Sequence, residues 1–262
     1  MRMILANIVA IYRRELQSYF QSPLAYVVAG VFWLLSGIFF VFILNLTIQR
    51  IAFADQAGFQ GAIDAPYQFL QSFLGILSSI ALFILPILSM SLYAEERKRG
   101  TLELLATSPI TNWAVAIGKL LAVVTFFITL LLPMLVYQFI VLTATSPPMS
   151  LPLILLGQLG LVLLAAAVLS LGMFVSSLTD STILAAIFTF ALVLFLWIID
   201  AIGQQLGGPL GTAIAHLSLL KHYSNLSQGI LDTSSLVLFA SYIFLGIFLT
   251  AQSVNLFRFQ RS

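Results

Sequence analysis

Long apolar stretches separated by short polar connections make up most of this 262-residue chain. About 18 to 20 helical residues are needed to cross ~30 Å of hydrocarbon, and six stretches are close to or above that length. They cover approximately residues 24–46, 69–93, 115–142, 151–175, 182–199 and 235–257. The pattern predicts an all-α integral membrane protein, with six transmembrane helices in a single domain over residues 1–262.

The first 22 residues have a different pattern, because polar and apolar positions alternate with helical periodicity. The apolar side chains fall on one face at 100° per residue. They are Leu5, Ile8, Val9, Tyr12, Leu16, Tyr19 and Phe20. Asn7, Arg13, Arg14, Gln17 and Gln21 lie on the opposite face. An amphipathic helix of this kind is suited to the lipid headgroup layer, so we predict an interfacial helix over residues 1–22.

The connection between the fifth and sixth runs, residues 200–234, is rich in glycine and contains an apolar stretch too short to span. Two interpretations remain open: a re-entrant helical hairpin on the outer side, or an extracellular loop with one interfacial helix. Gly203, Gly207 and Gly211 have a spacing typical of close helix packing. Because Pro209 lies among them, we interpret these glycines as permitting a turn.

Composition supports a lipid environment and excludes several classes of function. Hydrophobic residues make up 61% of the chain and charged residues 8%, whereas soluble domains carry about 25% charged residues. The net charge of +2 lacks the concentrated basic surface that nucleic-acid binding requires. Cysteine is absent, which excludes disulfides and thiolate metal sites. His216 and His222 do not share a helical face, so we expect no metal site there.

The distribution of basic residues predicts the orientation. With the N-terminus in the cytoplasm, nine basic residues lie inside and two, Arg50 and Lys221, lie outside. The inner set is Arg2, Arg13, Arg14, Arg97, Lys98, Arg99, Lys119, Arg258 and Arg261. Lys and Arg accumulate on the cytoplasmic side of membrane proteins, so both termini are predicted to be cytoplasmic. Lys119, one turn into the third run, is interpreted as a lipid anchor that reaches back to the interface.

One cytoplasmic connection, residues 94–111, is long enough to do more than reverse the chain. Six of the twenty charged residues lie between Glu95 and Glu103, and Arg99 is four residues from each of these glutamates. Such spacing favours ion pairs on a helix. Gly100-Thr101 is expected to break the helix, with Thr101 capping a second, short helix.

The second short helix would carry an apolar surface formed by Leu102, Leu104 and Leu105. Pro109 would stop it, and Thr111 would cap the next span. These residues are compatible with a helix that docks into a groove of a partner, or with a charged loop that only follows the positive-inside pattern. Asp180 is expected to cap the fifth span. Asp200 is expected to close that span at a solvated end, and the alternative is an ionisable group that faces the translocation path.

Several of these segments resemble one family of membrane transport proteins. Tyr93–Thr111 resembles the signature loop of ABC-2 type permeases, the membrane subunits of type V ABC exporters. Tyr12–Leu16 with Ser22-Pro23-Leu24 is similar to the family's entry helix. Ser176–Asp180 is similar to its second cytoplasmic turn, and Gly229–Asp232 to the approach to its last span. The nearest likeness is to permeases associated with bacterial gliding motility.

The resemblance implies a coupling helix between spans 2 and 3 that sits in a cleft of a separate ATPase subunit, with the N-terminal helix beside it. The coupling residues carried over by position are Glu95, Glu96, Arg97, Arg99, Gly100, Thr101, Leu102, Glu103, Leu104 and Leu105. Those of the interfacial helix are Tyr12, Arg13, Arg14 and Glu15. Reversing Glu95, Glu96 and Glu103 to lysine is expected to preserve insertion and uncouple ATP hydrolysis.

The resemblance also implies two permease and two ATPase subunits in a bacterial inner membrane, working as an exporter. An accessory membrane protein with an extracytoplasmic domain is a further implied partner. ATP and Mg²⁺ would bind the ATPase and not this chain, which has no phosphate-binding G-x-x-x-x-G-K-[ST] loop and is expected not to be an enzyme. The competing hypothesis is an ATP-independent secondary transporter or channel, a class that usually places ionisable groups near mid-membrane.

Overall fold

A computed structural model of the chain describes residues 2–56, 64–101, 111–146 and 148–259. Within those ranges the chain forms ten helices and no strand. Six of the helices are the long apolar ones α2 Pro23–Gln56, α3 Ala65–Ser89, α5 Asn112–Thr143, α6 Leu151–Leu178, α7 Thr182–Leu206 and α10 Thr233–Phe259. The other four are α1 Arg2–Gln21, α4 Ser91–Lys98, α8 Gly208–His216 and α9 Leu219–Ser227.

The six apolar helices are each long enough to cross a bilayer, so the chain is a multi-pass membrane protein. Several helices continue past the apolar runs that identified them. The second helix extends to Gln56 instead of ending near residue 46, and α7 extends to Leu206 instead of residue 199. Backbone hydrogen bonding continues into the polar flanks, where hydropathy no longer marks the helix.

The core of the protein is built around α3 and α6. The most apolar 18-residue window is 67% buried in each of these helices but only 28% buried in α7 and in α10. The central helix α6 packs against α3, α5, α7, α9 and α10. Helices at the periphery therefore expose apolar side chains, which a bilayer or another membrane protein solvates.

The two prolines inside spans have different effects. Helix α5 passes Pro133 without ending, and the Trp33 indole donates to the Leu130 carbonyl at 2.9 Å nearby. By contrast, α3 ends at Ser89, three residues after Pro86, and helical structure resumes at Ser91. The interruption at this point positions α4.

The connection between α7 and α10 contains two short helices, α8 and α9. Gly207 and Gly208 form the turn after α7, with φ values of 60° and 63° that favour glycine. Gly203 and Gly211 have another role, which corrects our interpretation. A Cβ at Gly203 would lie 2.6 Å from the Ala215 amide, and one at Gly211 would overlap the Gly203 carbonyl. These two glycines permit close packing of α7 against α8.

Asp200 does not close α7, contrary to expectation, because the helix continues for more than a turn beyond it. Asp180 is not the cap of that helix either. The hydroxyl of the next residue, Ser181, accepts the Leu184 amide at 3.4 Å, and a serine at this position caps as well as an aspartate.

The two histidines meet, although their spacing suggested that they would not. The turn between α8 and α9 brings the rings of His216 and His222 to 4.8 Å, edge to face. His222 bonds Ser235 Oγ at 2.8 Å and the His216 carbonyl at 2.9 Å, while His216 bonds Ser234 Oγ at 3.0 Å. Burial lowers the pKa of His222, which favours the neutral ring. The hydrogen bonds of the two histidines connect the α8–α9 segment to α10. No group of three metal-binding side chains occurs in the described part of the chain.

Candidate functional site

The residues predicted to contact a partner lie on α4 and just beyond it. The structure describes this segment as far as Thr101 and resumes at Thr111. Leu102, Glu103, Leu104 and Leu105 lie outside the described residues. The described part of the site runs from Glu95 to Thr101 and includes the helices that contact these residues.

A compact backbone motif ends α4. Gly100 has φ 69°, its amide donates to the Arg97 carbonyl at 3.1 Å, and the Thr101 amide donates to the Glu96 carbonyl at 3.0 Å. This pair of bonds, with glycine in the left-handed region, is the Schellman arrangement. The Thr101 hydroxyl also donates to the Glu96 carbonyl, at 3.2 Å. The break predicted at Gly100 is present. The Thr101 side chain bonds back to the preceding helix, and the short helix that Thr101 was predicted to cap lies outside the described residues.

The charged residues of α4 divide between two faces. Glu95 and Arg99 form the predicted i,i+4 ion pair at 2.5 Å, and their side chains are 47% and 69% exposed. Lys98 is also exposed. Arg97 turns inward, where its guanidinium donates to the Ser177 carbonyl at 3.1 Å. Only one face of α4 is therefore available to a partner.

Lys119 of α5 lies at the centre of a buried charge cluster. Its ammonium is 3.2 Å from Glu15 of α1 and 2.9 Å from Glu96 of α4, and it donates to the Leu92 carbonyl at 2.8 Å. It also lies 5.0 Å from the centre of the Tyr93 ring. The lysine side chain is 3% exposed, against 16% and 19% for the two glutamates. Interpreting Lys119 as a lipid anchor was wrong, since two carboxylates from other helices hold it inside the protein.

The cluster contains one cation and two carboxylates, so Lys119 serves both glutamates. Glu96 Oε2 is buried and has no hydrogen-bond partner among the residues that the structure describes. Glu15 and Glu96 are partly exposed and also line a polar recess between α1 and α4, and Lys119 is the cation that both of them contact. Three separate helices, α1, α4 and α5, are thereby fixed to one atom.

Helix α1 packs tightly on the first half of α5. A Cβ at Gly118 would lie 2.9 Å from the Ile11 side chain and 3.1 Å from the Ile8 carbonyl. Tyr19 stacks on Phe126 with ring centres 5.2 Å apart, and its hydroxyl donates to the Leu88 carbonyl at 2.9 Å. Burial and the nearby Glu15 carboxylate raise the pKa of Tyr19, so it remains a donor.

Of the four residues predicted for the entry helix, Glu15 enters the charge cluster. Arg14 lines a polar recess of about 350 Å³ between α1 and α4, together with Glu95 and Arg99. Arg13 is exposed and Tyr12 is half-buried. The recess opens beside the exposed face of α4, so charged groups of both signs surround it.

Two further contacts fix the ends of the spans near this cluster. Thr111 caps α5 as predicted, accepting the Ala114 amide at 3.4 Å. The adjacent Asn112 side chain donates to Asn255 of α10 at 2.6 Å. Together with Lys119, this bond connects α4 through α5 to the last span.

Sequence reasoning missed Lys119, Ser176 and the two asparagines as structural residues of the site. A signal existed only for Lys119, which is an isolated charge inside an apolar run. Such a residue usually has a buried partner. Ser176, Asn112 and Asn255 resemble many other polar residues at helix ends, so only the fold reveals their contacts.

A comparison with protein-family models matches residues 24–261, which include all six apolar helices. The matching model is described as ABC-2 family transporter protein. No curated protein matches the chain. The family match therefore extends over nearly the whole chain, including the residues that form the charge cluster on α4 and α5.

Proposed function

This chain belongs to the ABC-2 family of transporter proteins and is the membrane permease component of an ABC transporter, which works with an ATPase partner; on that premise we propose that the partner drives the permease through α4 and the residues that follow it, to residue 111. ATP and Mg²⁺ bind the partner. The permease itself catalyses no reaction.

The proposal depends on one observation: α4 is held firmly on its inner side and presents charges on its outer side. Lys119 binds Glu96 from the direction of α5, and Ser177 binds Arg97 from the direction of α6. Glu95 and Arg99 remain exposed. A force applied to the exposed face would therefore move the spans attached to α4 as a body, in the manner of rigid-body and shear motions in other proteins.

The remaining features of the proposal concern placement in the membrane. Both termini and α4 face the cytoplasm, in agreement with the nine-to-two distribution of basic residues. The exposed apolar side chains of α1, among them Leu5 and Val9, enter the headgroup layer. Helices α8 and α9 form a re-entrant hairpin on the opposite side, where contacts with α7 and α10 shield its backbone.

Assembly follows from the large apolar surfaces. The little-buried helices α7 and α10 leave room for a second permease copy or a paralogue, as the family resemblance implies. We propose two ATPase subunits for two permeases, a bacterial inner-membrane location and outward transport. The gliding-motility likeness remains a proposal about the subfamily.

Purification of the tagged chain from its native membrane in mild detergent tests this function. We expect an ATP-binding polypeptide to copurify in equal amount and to hydrolyse ATP in the complex. An ATP-independent transporter would behave differently: the chain would purify without an ATPase, and an ion gradient alone would drive transport in proteoliposomes. The second result would contradict the proposal.

A further inference from the structure

We propose that Ser176, near the end of α6, is a positioning residue that caps α4 and sets the direction in which α4 leaves the membrane. The Ser176 hydroxyl accepts the amides of Tyr93 and Ala94 at 3.1 Å and 3.0 Å. It also donates to the Met90 carbonyl at 2.8 Å. The effect of Ser176 on transport rests on the function proposed above for α4. The capping of α4 by Ser176 does not depend on that function.

The start of α4 needs a cap that its own sequence does not supply. The first amides of a helix lack partners within the helix, and a preceding Ser, Thr, Asp or Asn usually satisfies them. Here the preceding residue is Met90, whose side chain makes no capping bond. A serine from another helix occupies the position of the missing cap. Ser176 is fully buried, so water cannot replace its hydroxyl.

The hydrogen-bonding capacity of this one hydroxyl is completely used. A serine hydroxyl has one donor and two acceptor sites, and the three bonds of Ser176 occupy all of them. Such an arrangement fixes the position of the oxygen relative to three backbone groups on both sides of Ser91. The interruption between α3 and α4 therefore has a defined geometry that a flexible joint would lack.

A close helix contact places Ser176 where it can reach α4. Gly172 lies one turn earlier on the same face of α6 and packs directly against Ser89, the last residue of α3. Any Cβ at Gly172 would overlap the Ser89 side chain. Glycine at this position and serine four residues later thus hold both sides of the interruption against a single helix.

Ser176→Ala and its neighbour Ser177→Ala form a matched pair of variants. Both serines are buried, and both changes remove one hydroxyl. The Ser177 hydroxyl donates only to the Phe174 carbonyl in its own helix, and its bond from Arg97 uses the backbone. Any effect specific to Ser176→Ala therefore reports on the contact with α4.

The direct readout is the distance between spin labels on Lys98→Cys and Leu155→Cys, both exposed positions. The chain contains no natural cysteine, so these are the only labels. The 22 residues from Leu155 to Ser177 correspond to about 33 Å of helix at 1.5 Å per residue, within the measurable range. We expect Ser176→Ala to shift or broaden the distance distribution and Ser177→Ala to leave it as in the wild type.

The rate of ATP hydrolysis is measured for Ser176→Ala and for Ser177→Ala, each in complex with the ATPase. We expect stimulation of ATP hydrolysis by the permease to fall about fivefold in Ser176→Ala, the size of a typical lost helix cap. A distance that is unchanged from wild type would overturn the positioning role. A changed distance with full stimulation would support that role and contradict the function proposed for α4.

Hydrogen exchange in the unmodified protein gives a test that requires no variant to fold. The amides of Tyr93 and Ala94 should exchange as slowly as amides in the middle of α6, because a buried hydroxyl holds them. Exchange as fast as that at the exposed end of α4, near Arg99, would show that the cap does not form and would overturn the inference.

Discussion

Replacing Lys119 with methionine is expected to destabilise the protein by about 3 kcal/mol, the lower end of the cost of removing one member of a buried ion pair, because the two glutamates left behind are partly exposed. The change leaves Glu15 and Glu96 facing one another with no cation between them. Methionine has similar length and fits the apolar surroundings, so loss of charge is the main effect. The denaturation midpoint of the purified protein in detergent measures it.

Three controls identify the cause. Lys98→Met removes a lysine from the exposed face of α4 and should have little effect on stability. Glu15→Gln should cost less than Lys119→Met, because a one-to-one pair with Glu96 remains. Neutralising all three groups, as Lys119→Met with Glu15→Gln and Glu96→Gln, should recover much of the lost stability. Equal stability of Lys119→Met and Lys98→Met would refute the buried cluster.

Exchanging the charges of the exposed pair, as Glu95→Lys with Arg99→Glu, is expected to reduce binding of the ATPase by more than tenfold. The exchange keeps an ion pair on α4, and exposed pairs of this kind contribute only about 0.3–0.5 kcal/mol, so the stability of the permease should not change measurably. A partner that complements the original charges would instead meet like charges, at a cost of several kcal/mol. Binding of the purified ATPase to permease in nanodiscs measures the change.

The two single reversals complete this experiment. If the Glu95–Arg99 pair acted only within α4, each single change would weaken coupling and the double exchange would restore it. We expect no restoration, because a partner surface distinguishes the two arrangements. Full ATPase binding by the double variant would show that this face of α4 is not a contact.

The structure also shows why reversing Glu95, Glu96 and Glu103 together is a poor test. Glu96 is bound to Lys119, so a lysine at position 96 would place two ammonium groups together inside the protein. Loss of activity in that variant would reflect damage to the cluster as much as lost docking. Our expectation that insertion stays intact therefore does not extend to Glu96.

The spans could be predicted from the sequence because lipid imposes a simple requirement: about 20 consecutive apolar residues. Helix ends depend on local hydrogen bonds, which hydropathy does not report, so α2 and α7 continue past their predicted limits. Capping at Thr111 was predictable since it involves residues adjacent in sequence. The capping of α4 by Ser176 was not, because more than eighty residues separate the partners.

The same distinction applies to the functional site. Charge density and spacing indicated α4 and its Glu95–Arg99 pair, which are local features. The contacts that hold α4 come from α1, α5 and α6, and no local pattern shows which helices will meet. The glycines illustrate the difficulty. Gly203 and Gly207 belong to the same four-residue spacing, yet Gly203 permits close helix packing and Gly207 forms a turn.

The most direct test of α4 as the contact with the ATPase is cross-linking in the native membrane from a single introduced cysteine. A short photoactivatable reagent on Arg99→Cys should attach the permease to a polypeptide that contains an ATP-binding loop, identified by mass spectrometry. The same reagent on Phe53→Cys, an exposed position near the far end of α2, should not. Attachment of the ATPase from position 53, or its absence at position 99 in membranes where the intact complex is present, would contradict the account.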